Sequence, residues 1–556
     1  MKIHSGAHCA DFGLAEEVYL TGKISCRTKP PVRHGDNRLR QDNAVFPDTL
    51  HCKKIMGLFK AKPKNKEKID YTDLTEGSIT RKLLSYSWPI IAGNVMLQLY
   101  NVVDSIVVGN FAQNRTYALA AVSACGPITM IFNSLYTGVS MGAGIIISQY
   151  KGSKDPERLE KSLNTTFLLS VLMSIAITFL GLIFSRPMLE LIKTPEEIIG
   201  DAALYLDIIF IGSIGNITYN IMQGLVRGLG DTKWPFFTLS LSSVVNIVLD
   251  LLFVCVFHWD VAGVAWATTI SHIISATLTL LKQRTGVYGA RITLKKLRLD
   301  RELTGLIVKL GMPSAIQNVA VSGAGVITQA FSNQFGADFI AANSVVNKID
   351  GFALLPIMGF GMAVSAFVGQ NIGAGKIDRV NKGVRLCGYI IVGMGVVIGV
   401  VICAFAGLFM KLFGTEGVVY EMGLNGLYIV SFFYILQGLS NIYGSAIRGA
   451  GAATAAAVIS MGSTFIRIPI FYFMAILPLR NLINAAVSSG AYASYELAAA
   501  AGVGVAETYS MNFWAMSVSI VIGFIIMIAY YIWGNWRSRG ITEQARAAAK
   551  EASQKA

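Results

Sequence analysis

Long apolar runs separated by short polar segments make up the chain from about residue 83 onward. A membrane-spanning helix needs about 20 predominantly apolar residues, and twelve runs meet that length, centred near residues 96, 130, 173, 213, 246, 272, 318, 355, 397, 432, 466 and 522. Only helices and closed barrels satisfy every backbone group in hydrocarbon, and these runs lack the alternation of barrel strands. The pattern predicts an all-α integral membrane protein with twelve transmembrane helices.

The sequence repeats itself at an offset of 221 residues. Gly138, Met141, Gln149 and Gly152 return as Gly359, Met362, Gln370 and Gly373, Arg227-Gly228-x-Gly230 returns as Arg448-Gly449-x-Gly451, and Leu191 and Thr194 return as Leu412 and Thr415. This period is too long for a solenoid repeat. It predicts two homologous six-helix lobes of the same orientation, related by a pseudo-twofold axis along the membrane normal.

These patterns divide the chain into five parts. We expect a basic cytoplasmic leader (1–82), an N-lobe (83–282), a cytoplasmic linker (283–302), a C-lobe (303–535) and a charged tail (536–556). Residues 1–55 contain no apolar run, so we expect native translation to start at Met56. Residues 478–508, rich in Ala, Gly and Ser, are expected to lengthen the last outside loop.

Composition and charge placement agree with a membrane protein. Hydrophobic residues make up 53% of the chain and charged residues only 14%, against about 25% charged in soluble proteins. The net charge of +14 comes from Lys and Arg before the first span, in loops 151–161, 282–309 and 376–385, and in the tail. By the positive-inside rule, we expect a multi-pass protein of the cell membrane with both termini cytoplasmic. With no soluble domain to carry a basic surface, we expect no nucleic-acid partner.

Motifs for other chemistry are missing from the sequence. The seven cysteines show no CxxC spacing, only His258 and His272 lie in the membrane part, and no GxxxxGK[ST] loop for ATP occurs. We therefore expect no enzyme activity, no cofactor and no resident metal.

Two intramembrane carboxylates are the best functional candidates. A charged residue at the bilayer centre costs about 2.5–3.5 kcal/mol on insertion scales. Asp104 lies in the first predicted span, and Asp250 lies in the fifth, four residues after Asn246, so that these two side chains share a helical face. Nearby spans offer further polar groups, namely Asn216, Asn220, Gln223 and Thr268. Each of these residues can alternatively serve only as a hydrogen bond between helices.

Five segments carry a family resemblance. LTEGSITRKLLSYSWPI, YNVVDSIVVG, RGLGDTKWP, NIVLDLLF and VGQNIGAGK, in this order over 72–536, resemble the multidrug and toxic compound extrusion (MATE) transporters. The resemblance implies a two-lobed antiporter that exports organic, often cationic and amphipathic, compounds in exchange for Na⁺ or H⁺. It also implies a cation site in the N-lobe, carried onto Asp104, Asn246, Asp250 and Thr268, with Asn220 and Gln223 nearby.

The second half does not repeat this site. At the 221-residue offset, Asn246 corresponds to Arg467 and Asp250 to Phe471. The NorM branch of the family places acidic residues in the seventh and tenth helices, whereas here the seventh span has no acid and the tenth has only Glu421 at its outer end. The chain therefore resembles the DinF-like, Firmicute-type members more than NorM. Asp350, near Lys348 in the eighth span, and Arg467 are secondary candidates.

Alternating access is the expected mechanism, with drug-like small molecules as substrates and a monomer in the lipid bilayer. Pro89 removes a backbone hydrogen bond and predicts a bend in the first helix. Na⁺ and H⁺ both remain possible coupling ions, because both use the same carboxylates. The alternative function is a lipid-linked oligosaccharide flippase of a related fold, for which more intramembrane Arg and Lys are expected than Arg467 and Lys348 supply.

Overall fold

The computed structural model describes residues 72–111, 115–543 and 546–547, and all regular secondary structure among them is helical. The leader up to residue 71, including Met56, lies outside the described residues. The α-helices are α1 (Ile79–Phe111), α2 (Arg115–Gly152), α3 (Pro156–Leu191), α4 (Glu196–Ile211), α5 (Ser213–Gly228), α6 (Lys233–Asp250), α7 (Asp260–Arg284), α8 (Arg301–Ser332), α9 (Ala337–Gly373), α10 (Ile377–Leu412), α11 (Gly417–Ser431), α12 (Tyr434–Gly449), α13 (Ala453–Phe471), α14 (Leu477–Ser488), α15 (Tyr495–Ala500) and α16 (Val505–Trp533).

Twelve spans can be counted in the described part of the chain. Eight helical stretches are long and apolar enough to cross a membrane, and the bent pairs α4–α5 and α11–α12 bring the number to ten. The remaining two are α1 and α8, of 33 and 32 residues, which begin the two halves. The predicted fold class is confirmed. The helix of the eleventh span continues to Ser488, so the last outside loop is shorter than the predicted 478–508, and it contains the short helix α15.

The two halves share local distortions as well as sequence. α4 and α5 meet at a bend of 54°, and α11 and α12 meet at a bend of 48°. A π-helical segment follows α6 at Leu251–Val256, and another follows α13 at Tyr472–Ile476. Left-handed backbone conformations recur at the 221-residue offset in three pairs, Lys154 and Gly375, Lys193 and Gly414, and Gly230 and Gly451. The repeat is therefore a repeat of backbone geometry.

The halves meet closely at one end of the bundle. This end carries the loops 152–156, 284–301 and 373–377, together with residues 72–78 and 534–543, and we call it the basic end. The second half of α2 packs against the start of α8, where a Cβ atom on Gly142 would lie 2.8 Å from the backbone nitrogen of Gly311. The small side chains of 138–144 therefore serve close packing between helices.

Two glutamines join the halves reciprocally at the basic end. Gln149 on α2 and Gln370 on α9 are both fully buried. A Cβ atom on Gly373 would overlap the carbonyl of Gln149, and one on Gly152 would overlap that of Gln370. We call the two side chains and the four shortest of their hydrogen bonds the glutamine clasp, and a fifth, longer bond runs from Gln370 Nε2 to Thr72 O (3.4 Å). The four bonds of the clasp run from Gln149 Nε2 to Gly449 O (3.1 Å), from Ile541 N to Gln149 Oε1 (2.9 Å), from Gln370 Nε2 to Gly228 O (3.2 Å) and from Leu74 N to Gln370 Oε1 (2.8 Å).

Candidate functional site

Side chains from α1, α6 and α7 converge in the first half of the chain. Asn246 on α6 is fully buried, and its Nδ2 donates to Thr268 Oγ1 on α7 at 3.4 Å. The Tyr100 hydroxyl on α1 lies 3.3 Å from the same Thr268 oxygen. Thr268 therefore links the three helices, and two of the predicted site residues, Asn246 and Thr268, are in contact.

Asp250 lies one helical turn beyond Asn246 on α6. It is fully buried and is the last residue of α6 before the π-helical segment Leu251–Val256. The two residues are four apart in a continuous helix, so that both side chains face the same direction. π-Helical turns occur frequently at functional sites, because the inserted residue loosens the regular backbone hydrogen bonding.

Asp104 belongs to α1, but its side chain lies outside the described residues. Its backbone position is four residues after Tyr100, whose side chain reaches Thr268. One turn of helix on the same face separates the two residues. Pro89 is buried within α1, which continues through it to Phe111.

The amides of α5 are engaged with other partners. Asn220 Nδ2 donates to Asn216 Oδ1 at 2.7 Å, and the backbone carbonyl of Asn220 accepts from Ser140 Oγ on α2. Gln223 Nε2 donates to Thr238 Oγ1 at 2.9 Å. Thr238 precedes Asn246 by eight residues on α6, or about 12 Å along the axis. The structure therefore places Gln223 apart from Asn246, towards the basic end.

A second polar cluster lies in the other half. Arg467 Nε on α13 donates to Ser519 Oγ on α16 at 3.1 Å. Asp350 on α9 and Tyr434 at the start of α12 are buried beside one another, and the hydroxyl and the carboxylate are close enough to interact, although neither the Tyr434 hydroxyl nor Asp350 Oδ1 makes a hydrogen bond of good geometry. The charges of Asp350 and Arg467 are close enough to interact. The two secondary candidates are thus neighbours, whereas Lys348 lies over the ring of Phe413.

Three further polar residues, Tyr100, Gln437 and Asn441, were not predicted from the sequence. Tyr100 stands one turn before Asp104, which is a detectable helical spacing. Gln437 and Asn441 on α12 correspond at the 221-residue offset to Asn216 and Asn220. The amide pair therefore recurs in the second half, although Asn246 and Asp250 do not.

The first cluster has the chemistry of a monovalent cation site. Carboxylate, amide carbonyl and hydroxyl oxygens together suit a hard cation. The same carboxylates can hold a proton if two of them lie close enough to raise the pKa of one. The second cluster holds a guanidinium near one carboxylate without an ion pair between them, and Arg467 stands where the first half has Asn246.

Comparison with known families gives a match in both halves. A family model described as MatE matches residues 89–252 and 313–473, which together make up more than half of the chain. The two matched segments fall one on each side of the loop between α7 and α8.

Relatives of known name agree with that match. The probable multidrug resistance protein YpnP of Bacillus subtilis is 30% identical over 398 residues, which cover 71% of this chain and 88% of the relative. YoeA, a probable multidrug resistance protein of the same organism, is 29% identical over 405 residues, covering 71% and 87%. The NorM protein of Thermotoga maritima is more distant, at 23% identity over 71% of this chain and 86% of its own length. The expected nearness to Firmicute-type members is confirmed.

A solved structure shows the same fold. An outward-facing multidrug resistance MATE family transporter of the MOP superfamily aligns with a TM-score of 0.72 at 20% identity, covering 87% of this chain and 99% of that chain. The two-lobed arrangement of twelve spans is therefore shared with that protein.

Proposed function

The chain belongs to the MatE family, whose members are transporters and not enzymes, and from this premise we propose that it is a secondary active multidrug efflux antiporter. It exports organic, often cationic and amphipathic, compounds from the cell in exchange for Na⁺ or H⁺. The names of YpnP and YoeA support the class of substrate. The flippase alternative is not favoured by any of these relatives.

The coupling ion binds, in this proposal, among Asp104, Asn246, Asp250 and Thr268. The observation that carries it is the burial of Asn246 and Asp250 on one face of α6, with Asn246 bonded to the hydroxyl that also meets Tyr100 of α1. A carboxylate is costly at membrane depth unless its charge is used or compensated. Asn220 is included in the proposed site, although its side-chain nitrogen already donates to Asn216 Oδ1.

Alternating access is the mechanism that we propose, and the closed basic end supports it as one of the two states required. If the basic loops face the cytoplasm, as the positive-inside rule predicts, the closed basic end corresponds to an outward-facing state. Ion binding at α1 and α6 then favours one arrangement of the lobes over the other. One elementary charge crossing about 100 mV releases about 2.3 kcal/mol. At about 1.4 kcal/mol per tenfold change, one proton exchanged for one neutral substrate sustains a roughly fifty-fold gradient.

Efflux of a cationic dye from proteoliposomes tests the proposal. Ethidium is the substrate, and either a pH gradient or a Na⁺ gradient is imposed. We expect one of the two gradients to drive efflux in the wild type, which identifies the ion, and Asp250→Asn to abolish it.

Asp338→Asn is the matched control, because Asp338 is exposed in the first turn of α9 and also loses one carboxylate. This variant should retain wild-type efflux. Equal gradient-driven efflux by wild type and Asp250→Asn would refute the coupling site. No gradient-driven transport of any cationic dye by the wild type would refute the antiporter.

A further inference from the structure

We propose that Arg467 and Asp350 form a substrate subsite in the second lobe, which binds a carboxylate of the exported molecule at Arg467 and a cationic amine at Asp350. The inference deepens the proposed function and rests on it for the direction of transport. It adds to the cationic substrates of the proposed function a class of amphipathic molecules that carry both a carboxylate and a cationic amine.

The guanidinium of Arg467 is only partly used by the protein. Its Nε donates to Ser519 Oγ at 3.1 Å. The two terminal nitrogens make no hydrogen bond to the described residues, and they are not enclosed, since the side chain is only partly buried. Arginine presents donors in a planar fork that matches a carboxylate. One edge of this fork is anchored by Ser519, which leaves the terminal nitrogens for a ligand.

The carboxylate of Asp350 does not fill that position. Within the part of the chain that the structure describes, no ion pair joins Asp350 to Arg467, so their charged atoms lie more than 4.0 Å apart. Asp350 is only 9% exposed, and its Oδ1 is buried without a hydrogen-bond partner. An unpaired buried charge is expensive to maintain. Two opposite charges held apart at one level of the bundle are complementary to a ligand with two opposite charges.

Neighbouring groups add further unpaired polar atoms. The Tyr434 hydroxyl beside Asp350 and the side-chain oxygen of Gln437, three residues further along α12, are buried and make no hydrogen bond of good geometry. Buried polar groups in proteins are normally bonded. The cluster formed by α9, α12 and α13 therefore offers several donors and acceptors to one molecule.

The depth of the cluster agrees with a midplane binding site. Arg467 is 14 residues from the start of α13 at the basic end, or about 21 Å along the helix axis. Asp350 is 13 residues from the start of α9 at the opposite end, or about 20 Å. Both side chains therefore lie near the middle of their spans, where transporters of this architecture bind substrate.

Only a single small anionic group fits the charge balance. One arginine and one aspartate have no net charge together, so a multiply charged phosphate would meet too little positive charge. A carboxylate, which pairs with a guanidinium through two parallel bonds, meets the requirement.

The test uses two xanthene dyes that share their amines and differ in one group, a free carboxylate in the first and its ethyl ester in the second. Binding to the purified full-length protein in detergent is measured by fluorescence polarisation without any ion gradient. Arg467→Gln should weaken binding of the acid at least tenfold and leave binding of the ester within about twofold. Asp350→Asn should weaken binding of both dyes, because both carry the amine.

Two further variants control for charge and folding. Arg467→Lys keeps a positive charge and should recover part of the affinity for the acid. Arg480→Gln removes an arginine of α14 that lies over the ring of Tyr472, outside the cluster, and should change neither dye. Size-exclusion profiles establish that each variant is folded.

Equal loss of both dyes in Arg467→Gln, or no loss of the acid, would overturn the inference. The outcome is separate from that of the proposed function, because binding needs no gradient. Failure of the wild type to export either of these dyes or ethidium under an imposed pH or Na⁺ gradient would refute the antiporter, while the ratio of acid to ester affinities still decides the role of Arg467.

Discussion

Loss of the glutamine clasp should open the basic end of the bundle. The four bonds of the glutamine clasp all run between the halves of the chain. A net contribution of about 1 kcal/mol for each neutral hydrogen bond gives about 2 kcal/mol for each glutamine. Replacing one by leucine should therefore shift the equilibrium between closed and open basic ends about 30-fold towards open, since 1.4 kcal/mol corresponds to tenfold. The double variant should shift it about a thousandfold.

The distance between the lobes can be followed by electron–electron double resonance. Nitroxide labels are placed at Glu157→Cys and Asp378→Cys, in a background that lacks the seven native cysteines. Both positions are exposed, and they correspond to one another at the 221-residue offset, at the starts of α3 and α10. The wild type should give one short distance, and Gln149→Leu should add a longer one whose share grows in the double variant.

Gln329→Leu serves as the control, because Gln329 is exposed near the end of α8 and bonds only to Asn333 within its own half. An unchanged distance distribution in the double variant would refute the assignment of the clasp as a determinant of closure. Equal effects of Gln329→Leu and Gln149→Leu would show that loss of any glutamine amide loosens the bundle.

Three further predictions concern packing and stability. Gly142→Val should lower the melting temperature, because its side chain would meet the backbone of Gly311 and overpacking typically costs about 1–3 kcal/mol. Gly126 on the same helix faces open space, so Gly126→Val should leave the melting temperature unchanged. Asp300→Asn should destabilise the start of α8 by about 0.3–1 kcal/mol at neutral pH, because asparagine can still cap Leu303 but removes the negative charge that lies at the helix N-terminus beside Lys161. The hydrogen bonds from Lys161 and from Leu303 N lower the pKa of Asp300, so this stability is present above the ordinary carboxyl pKa and is lost as pH falls through the lowered value. The melting curves of the wild type and Asp300→Asn should therefore converge in acid. A difference that persists in acid would contradict the assignment. Pro89→Ala should raise the melting temperature, since an interior proline costs about 3 kcal/mol, and should slow dye efflux; faster efflux would contradict a role for the interruption in α1.

The membrane spans could be predicted from the sequence, because the lipid bilayer imposes one simple requirement on the residues that cross it. A run of about 20 apolar residues has few structural alternatives in hydrocarbon. The breaks within the spans could not be predicted in this way. The bend at Gly212 and the π-helical segment after Asp250 depend on how neighbouring helices pack. The outside loop was misjudged at 478–488 for the same reason, since Ala-rich sequence forms a helix there when it can pack against α16.

Candidate site residues could be found individually but not grouped. The spacing of Asn246 and Asp250 placed both on one face of a helix, and the structure brings Thr268 to Asn246. Spacing within one helix gives no information about contacts between helices. It could not show that Gln223 meets Thr238, or that Arg467 is anchored by Ser519.

The distortions common to both halves also give a relative chronology for this protein. Bends, π-helical segments and left-handed turns that recur at one offset were present in the ancestral half before it was duplicated. Asn246 and Arg467 occupy the same place in that inherited framework and differ in charge, so their divergence came after the duplication. The shared backbone geometry is thus the older feature of this chain, and the difference in charge between Asn246 and Arg467 is the younger one.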